Sequence, residues 1–266
     1  MTLASRAHDR MSSYNRFGYE WTKYSRIIPL YEEQFKAWIQ PLTPRDFKGL
    51  RVLDGGCGTG RNSLWPANYG ALEVVAFDVD PRSVAVARKN LAGSANAKVC
   101  EHSLYDIPFT NEFDLAFSIG VIHHLADPRK AVSNLVKAVK PGGRVLLWVY
   151  GREGSSFVKN LVNAARKVCC RLPLAALNVL TRPLSFLWWS YIKIFPQRHP
   201  YHVLLKSAPF WHIHSILFDQ LLPEIANYWT RIEAVALFDD LPVDVEHVTW
   251  VNKGSWTVVA RKHAQA

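Results

Sequence analysis

The sequence predicts an α/β fold: a mostly parallel sheet that ends in an antiparallel pair, with a helical insertion. Three observations predict it. Short apolar runs alternate with helical patterns from residue 51 to 150, at the spacing of strand–helix–strand units. A glycine-rich loop (Gly55, Gly56, Gly58, Gly60) directly follows the first of those runs. Two strand-like runs near the carboxyl end, Val243 to Val251 and Ser255 to Arg261, are separated by Asn252-Lys253-Gly254, a hairpin spacing.

The elements follow in order. Residues 1–48 read as a helical, partly irregular segment with clustered aromatics (Tyr14, Phe17, Tyr19, Trp21, Tyr24), and Leu30 to Ile39 as a helix stopped by Pro41 and Pro44. Arg51 to Asp54 is a buried strand, and a helix is expected from Asn62 to Tyr69. Glu73 to Phe77 is a second strand with Asp78 at its end, and Pro81 to Asn90 a second helix. Ala97 to Glu101 and Phe113 to Ser118 make strands three and four, and Pro128 to Val139 is helical. Strand five, Arg144 to Tyr150, follows a turn at Pro141-Gly142-Gly143. After residue 151 the rhythm becomes helical, until Thr230 with Glu233 three residues on marks a capping box. The expected division is a lid segment over 1–48, a main domain over 49–151 and 228–266, and a basic helical cap over 152–227.

Composition excludes other classes. With 266 residues, 49% hydrophobic and 20% charged, the chain is neither disordered nor fibrous. Cys57, Cys100, Cys169 and Cys170 form no CxxC pair and read as reduced thiols of a cytoplasmic protein. Met1 to Leu30 contains no apolar core of a signal peptide, and Leu172 to Phe195 is broken by Asn178, Arg182, Pro183 and Lys193 before it could span a bilayer.

The glycine loop carries the chemistry. Glycines let backbone turn sharply against a ligand at the carboxyl end of a strand. A dinucleotide loop would place a third glycine where Arg61 stands, and no Gly-Lys-Ser/Thr follows for a phosphate loop. Asp54, two residues before Gly56, suits a ligand carrying an ammonium or sulfonium better than a pyrophosphate. Asp78, at the end of the second strand, can accept both hydroxyls of an unphosphorylated ribose.

At these residues the chain resembles the class I S-adenosylmethionine-dependent methyltransferases, over roughly residues 50–150. Asp54-x-Gly56-x-Gly58-x-Gly60 resembles their first motif and Ala76 to Asp80 the second. Asp114 to Leu125 resembles the fourth-strand motif, and Lys140-Pro141-Gly142-Gly143 the turn before strand five. Phe17 to Trp21 and Phe218 to Thr230 are similar to a bacterial small-molecule and glycan-associated branch. The resemblance implies a Rossmann-like sheet and S-adenosyl-L-methionine as cofactor. It implies that Asp54, Gly56, Cys57, Gly58 and Gly60 hold the methionine moiety, Asp78 the ribose and Val79 the adenine. Ser103 and Leu104 would flank the adenine edge, with Ser103 standing where many members carry an acid, and Ile119 and Gly120 would floor the site beneath the sulfonium.

His123 is the expected general base, because an imidazole titrates near neutral pH; the structural alternative is that the His123-His124 pair caps a turn. Tyr19, Trp21, His124, Tyr150, Asp219 and Tyr228 are the expected acceptor-side residues, with Trp256 a further candidate. His199-x-x-His202 and His212-x-His214 lack the partners of a zinc site, so no metal is expected.

The formal charge of +10 is unevenly spread: Arg152 to His212 holds nine Lys/Arg and one acid, Glu153. Within it Phe157, Leu161, Ala165, Val168, Cys169 and Leu172 recur at helical spacing, with Lys159, Arg166, Lys167 and Arg171 between them, followed by Trp188, Trp189 and Tyr191. A basic amphipathic helix beside aromatics is what contact with an anionic membrane requires; a plain solvated cap over the site is the alternative. No base-methylation motif or nucleic-acid module accompanies the charge, so an RNA substrate is disfavoured. The expected function is O- or N-methylation of a small-molecule or lipid-linked acceptor by a cytoplasmic enzyme, peripheral on the inner face of the membrane. A catalytically silent S-adenosylmethionine-binding accessory protein is the alternative from another class.

Overall fold

The structure is a computed structural model that describes residues 13–153 and 156–264. Among the residues named above, the side chains of Tyr14, Phe157 and Lys159 lie outside the described residues. Seven strands form one sheet: β1 (Arg51–Gly55), β2 (Glu73–Asp78), β3 (Ala97–Glu101), β4 (Phe113–Ile119), β5 (Val139–Tyr150), β6 (Val243–Val251) and β7 (Ser255–Lys262). Their order is β3-β2-β1-β4-β5-β7-β6, with the first five parallel and β7 antiparallel to both neighbours. The sheet is the Rossmann-like one the motifs imply.

The strands alternate their burial. Val52, Val74, Leu115, Phe117 and Leu146 face one side, beneath Tyr31, Phe35 and Trp38 of α2 (Leu30–Trp38), after α1 (Ser13–Lys23). Leu53, Val75, Phe77, Ala116, Val145 and Leu147 face the other. That side is covered by Ala131, Val132, Leu135 and Val136 of α5 (Pro128–Ala138), which follows α3 (Leu64–Asn68) and α4 (Pro81–Asn90). Covering both faces is what allows near-continuous apolar strands in a parallel sheet.

Two local expectations are corrected. The helix expected over Asn62–Tyr69 is only Leu64–Asn68, because Ser63 Oγ donates to Asp54 Oδ2 at 2.6 Å and holds the preceding residues in the glycine loop. The turn expected at Pro141-Gly142-Gly143 lies inside β5, as an irregularity where pairing jumps from Phe113↔Val139 to Leu115↔Arg144, with Gly142 at φ 78°.

After β5 come α6 (Ser156–Cys169), α7 (Leu174–Leu180), α8 (Arg182–Ile194), α9 (Pro200–Leu205) and α10 (Phe210–Leu221), then α11 (Arg231–Val235), which opens with the expected Thr230–Glu233 capping box. Among the described residues no helix is long and apolar enough to cross a membrane. The insert's own core is built around Ile213, Phe218, Leu221 and Leu222 at α10, with Leu177 of α7 and Ile192 of α8. Arg166 belongs to this interior and not to a solvated face: it is buried and donates to Gln220 O at 2.9 Å and to Asn163 Oδ1 at 2.7 Å. The outer face is different. Of the fourteen large apolar side chains exposed among the described residues, ten lie between Leu161 and Phe195. On α8, Leu184, Leu187, Tyr191 and Ile194 fall at i, i+3, i+7 and i+10, one stripe, and are 59%, 65%, 47% and 73% exposed.

Candidate functional site

A cavity of about 1360 Å³ lies over the carboxyl ends of β1, β2 and β4, roofed by α1 and by the insert. It sits where strand order reverses between β1 and β4, the place at which open α/β sheets bind ligands.

The loop after β1 forms its floor. Gly56 has φ +80°, and a Cβ there would lie 2.6 Å from Val121 Cγ2, so only glycine fits. The loop's amides are occupied internally. Gly56 and Cys57 both donate to Phe77 O at 2.9 Å, Gly58 donates to Asp78 Oδ2 at 2.9 Å, and Gly60 donates to Cys57 O at 2.9 Å. A phosphate cradle needs free backbone N–H groups, and these four offer none. Asp78 also accepts from Asp80 N at 3.0 Å, and with about four lone-pair sites its carboxylate keeps acceptor capacity for a hydroxyl.

The roof is made by close approach. Gly18 of α1 packs on Asp80, where a Cβ would stand 1.8 Å from Oδ2. Asp80 in turn caps α4 by accepting from Arg82 N at 2.8 Å. The contact seats Phe17, Glu20 and Trp21 over the cavity. Arg61 lines the cavity among aromatic rings, its guanidinium 5.3 Å from the Trp21 ring, 5.0 Å from Tyr31 and 5.8 Å from Trp38. Trp148 and Tyr150 of β5, Trp188 of α8, Tyr201 of α9 and the hairpin residues Asn252 and Lys253 also line it.

Of the residues expected from sequence, Gly56, Cys57, Asp78, Val79, Ser103, Leu104, Ile119 and Gly120 line the cavity, as do Trp21, His124, Tyr150 and Asp219. Seven do not line it. Asp54 is buried beneath the loop against Ser63, and burial raises its carboxyl to about 7, so it braces the loop from behind. Gly58 and Gly60 shape the turn; the latter packs against Ala87 and Leu91. Tyr19 packs on Phe218, with ring centroids 6.2 Å apart. Tyr228 stacks behind Tyr150 at 5.6 Å. Trp256 likewise stands outside the lining and donates to Glu153 Oε2 at 3.0 Å.

His123, the expected base, is the seventh, and the fold does not bring it to the cavity. It is fully buried, stacked on Tyr150 at 3.7 Å, and neither ring nitrogen has a partner. Burial holds its imidazole well below the ordinary range, hence neutral. In the 3-10 turn Ile122–His124, successive side chains point about a third of a turn apart. The turn therefore buries Ile122 and His123 and presents His124 to the cavity. His124 Nδ1 donates to Ile225 O at 2.8 Å, which fixes the tautomer and leaves Nε2 as an acceptor, although burial lowers this imidazole to about 4.

Sequence reasoning missed Glu20, Arg61, Tyr31, Tyr201 and Gln220, which the tertiary fold brings to the cavity. Arg61 carried a signal, as the residue that breaks the dinucleotide pattern, and Glu20 and Gln220 lie in the two flanking resemblance segments; Tyr31 and Tyr201 come from segments with no motif of their own.

Parts of the chain are similar to known proteins. Residues 53–147 match the methyltransferase-domain family Methyltransf_11. A ubiquinone biosynthesis O-methyltransferase of Cereibacter sphaeroides is 34% identical over 158 residues, 54% of this chain and 64% of that protein. A relative of the same description from Xanthomonas oryzae is 34% identical over 45% of this chain and 51% of its own length. The chain thus spans about half to two-thirds of these curated relatives. The crystal structure of a Synechocystis magnesium protoporphyrin IX methyltransferase with bound SAH superposes with a TM-score of 0.53 over 92% of this chain and 84% of that one, at 14% identity. That likeness, like the TM-score of 0.55 with a Rickettsia typhi protein in complex with AdoHcy (91% of this chain, 54% of that one, 15% identical), shows the fold. At its centre, this chain carries a methyltransferase domain of the class I S-adenosylmethionine-dependent family.

Proposed function

We propose that this protein transfers the methyl group of S-adenosyl-L-methionine to a hydroxyl or amine of a small-molecule acceptor. The single observation that carries the reading is the glycine loop: its amides are spent on Phe77, Asp78 and Cys57, so it offers no cradle to a pyrophosphate, while Asp78 keeps lone pairs toward the cavity. The cavity suits the cofactor. It needs glycine at 56 for space, offers Asp78 for ribose hydroxyls, and brings Val79, Ser103 and Leu104 beside the position of an adenine. Its volume of about 1360 Å³ exceeds the roughly 300–1000 Å³ of a site for one ligand, leaving room for an acceptor beside the donor.

When bound, the cofactor supplies a methyl group already activated as a sulfonium. The chain's own residues then orient and dry the reaction. Ile119 and Gly120 floor the transfer point, and Trp148 and Tyr150 wall the acceptor side. Holding the partners in line out of water is the main source of rate here.

The insert extends the reading to a lipid-borne acceptor and an anionic membrane on the cytoplasmic side. Between Glu153 and Asp219 the chain has no acidic residue. The stripe Leu184, Leu187, Tyr191 and Ile194 stands exposed on α8, and Trp188 of the same helix lines the cavity. An apolar stripe among basic side chains matches the two attractions of an anionic bilayer surface.

The test is transfer of tritiated methyl from S-adenosylmethionine into the aqueous and lipid fractions of a cell extract, with mass spectrometry of the labelled product. Label in the lipid fraction supports the full reading. Label in the aqueous fraction alone removes the lipid-borne acceptor. SAH binding without label in either fraction would make this a silent cofactor-binding protein and overturn the enzymatic reading.

A further inference from the structure

We propose that Asp219 accepts the proton that the acceptor hydroxyl or amine must lose on methylation, and that Glu20 is the positioning residue that holds it. The inference rests on the methyl-transfer reading above.

Glu20 comes from α1 and Asp219 from α10, segments 199 residues apart that meet on the cavity wall. Glu20 is 1% exposed, and its Oε2 finds no donor group in the protein. The neighbouring Tyr19 and Phe218 pack with ring centroids 6.2 Å apart, which sets the two carboxyls side by side on the cavity wall, close enough to interact. Two carboxylates so placed cannot both be ionised, so the pair retains one proton. Burial places that proton on Glu20, whose carboxyl is held well above its ordinary range, first by desolvation and then by Asp219. Asp219, also raised by burial but lowered by Arg61, by the hydrogen bond from Glu20 and by Arg166, lies at about 6 and is a carboxylate at neutral pH. A general base works best with its pKa near the working pH. His124, also on the cavity wall, is lowered to about 4 and is a weaker base than Asp219.

The step balances. The acceptor oxygen or nitrogen forms a bond to the methyl carbon as that carbon's bond to sulfur breaks, and sulfur leaves as a neutral thioether. The acceptor's proton passes to the Asp219 carboxylate and from there to solvent.

The groups that face the pair come from every element packed on it: Tyr24 after α1, Tyr31 of α2, Arg61 of the loop, Tyr150 of β5, Arg166 of α6 and Tyr201 of α9. Burial raises the four tyrosines and lowers the neighbouring His212 to about 3. Between pH 5 and 8 the carboxyl pair is therefore the group in this cluster that titrates.

The experiment measures pH–rate profiles of label transfer into the acceptor fraction for wild type, Asp219→Asn, Glu20→Gln and Glu20→Ala. Calorimetric SAH binding and infrared spectra at neutral pH accompany them. Asp219→Asn is expected to lower turnover by about 10²- to 10⁴-fold with SAH affinity unchanged. Glu20→Gln keeps a neutral donor toward Asp219 and should retain most of the rate while losing the infrared band of a buried protonated carboxyl. Glu20→Ala, without that donor, should move the acid limb to higher pH. Wild-type turnover in Asp219→Asn, or a wild-type-minus-Glu20→Gln infrared difference spectrum that lacks a buried carboxylic-acid band while Asp54→Asn removes a separate one, overturns the proposal. Failure of the underlying reading is recognised separately, because the wild type itself would then transfer no label.

Discussion

The exposed stripe on α8 sets a measurable expectation. Leu184 and Leu187 are 59% and 65% exposed in the folded chain. Full burial of a leucine side chain is worth about 2 kcal/mol, so inserting the exposed part of each contributes about 1.2 kcal/mol. Replacing both by serine should cost about 2.5 kcal/mol of membrane affinity, close to 60-fold in the partition coefficient. Arg182 and Arg198 are exposed around the same helix, and each basic residue near an anionic surface adds about 1 kcal/mol. Arg182→Gln with Arg198→Gln should therefore weaken binding about 30-fold, but only at low salt, since charge attraction is screened and apolar insertion is not. Because all four positions are exposed, fold stability should change by less than about 0.5 kcal/mol per site. The assay is co-sedimentation with phosphatidylglycerol vesicles across an ionic-strength series, with circular dichroism as the folding control. Wild-type protein that stays in the supernatant at low salt, or serine variants that bind as wild type does, would refute the membrane reading.

Other outcomes follow from the site. Gly56→Ala should abolish measurable SAH binding in calorimetry, and adding Val121→Ala should restore only part of it, since the clash at 2.6 Å is relieved while the φ of +80° remains unfavourable. Asp78→Asn should weaken SAH binding by about 1.5–3 kcal/mol, roughly 10- to 150-fold, the worth of hydrogen bonds to a charged acceptor; unchanged affinity would remove the ribose assignment. Asp54, raised to about 7 in the fold against an unfolded value near 4, binds its proton more tightly when folded. Stability therefore falls as pH rises from about 4 to 7, by up to about 4 kcal/mol. Asp54→Asn should flatten that slope in urea titrations, and an unchanged slope would refute the assignment. His123→Ala should cost stability through the lost Tyr150 stack, and His124→Ala should affect turnover with less effect on melting; the reverse pattern would restore His123 as the working imidazole.

Much of this molecule was legible in local sequence. Strand positions from Arg51 to Tyr150 follow apolar runs bounded by turn residues, because a parallel strand buried on both faces tolerates little else. The glycine loop, Asp78 and the Thr230 capping box are likewise local matters of backbone space and hydrogen bonding within a few residues. Direction was not local. His123 and His124 are chemically identical neighbours, and only the turn's packing against β5 buries one and presents the other. Arg166 and Lys167 read alike in the chain, yet one lies inside the insert on Gln220 and the other is exposed. The Glu20–Asp219 pair has no sequence signature, because its two halves are joined only when α1 settles through Gly18 onto Asp80 and α10 closes from the insert. The order of residues determined which backbone could turn, pair and cap. Which side chains share one desolvated cavity, and hence which titrate together, was decided by long-range packing, since proximity and burial set a group's charge and neither is a property of its neighbours in sequence.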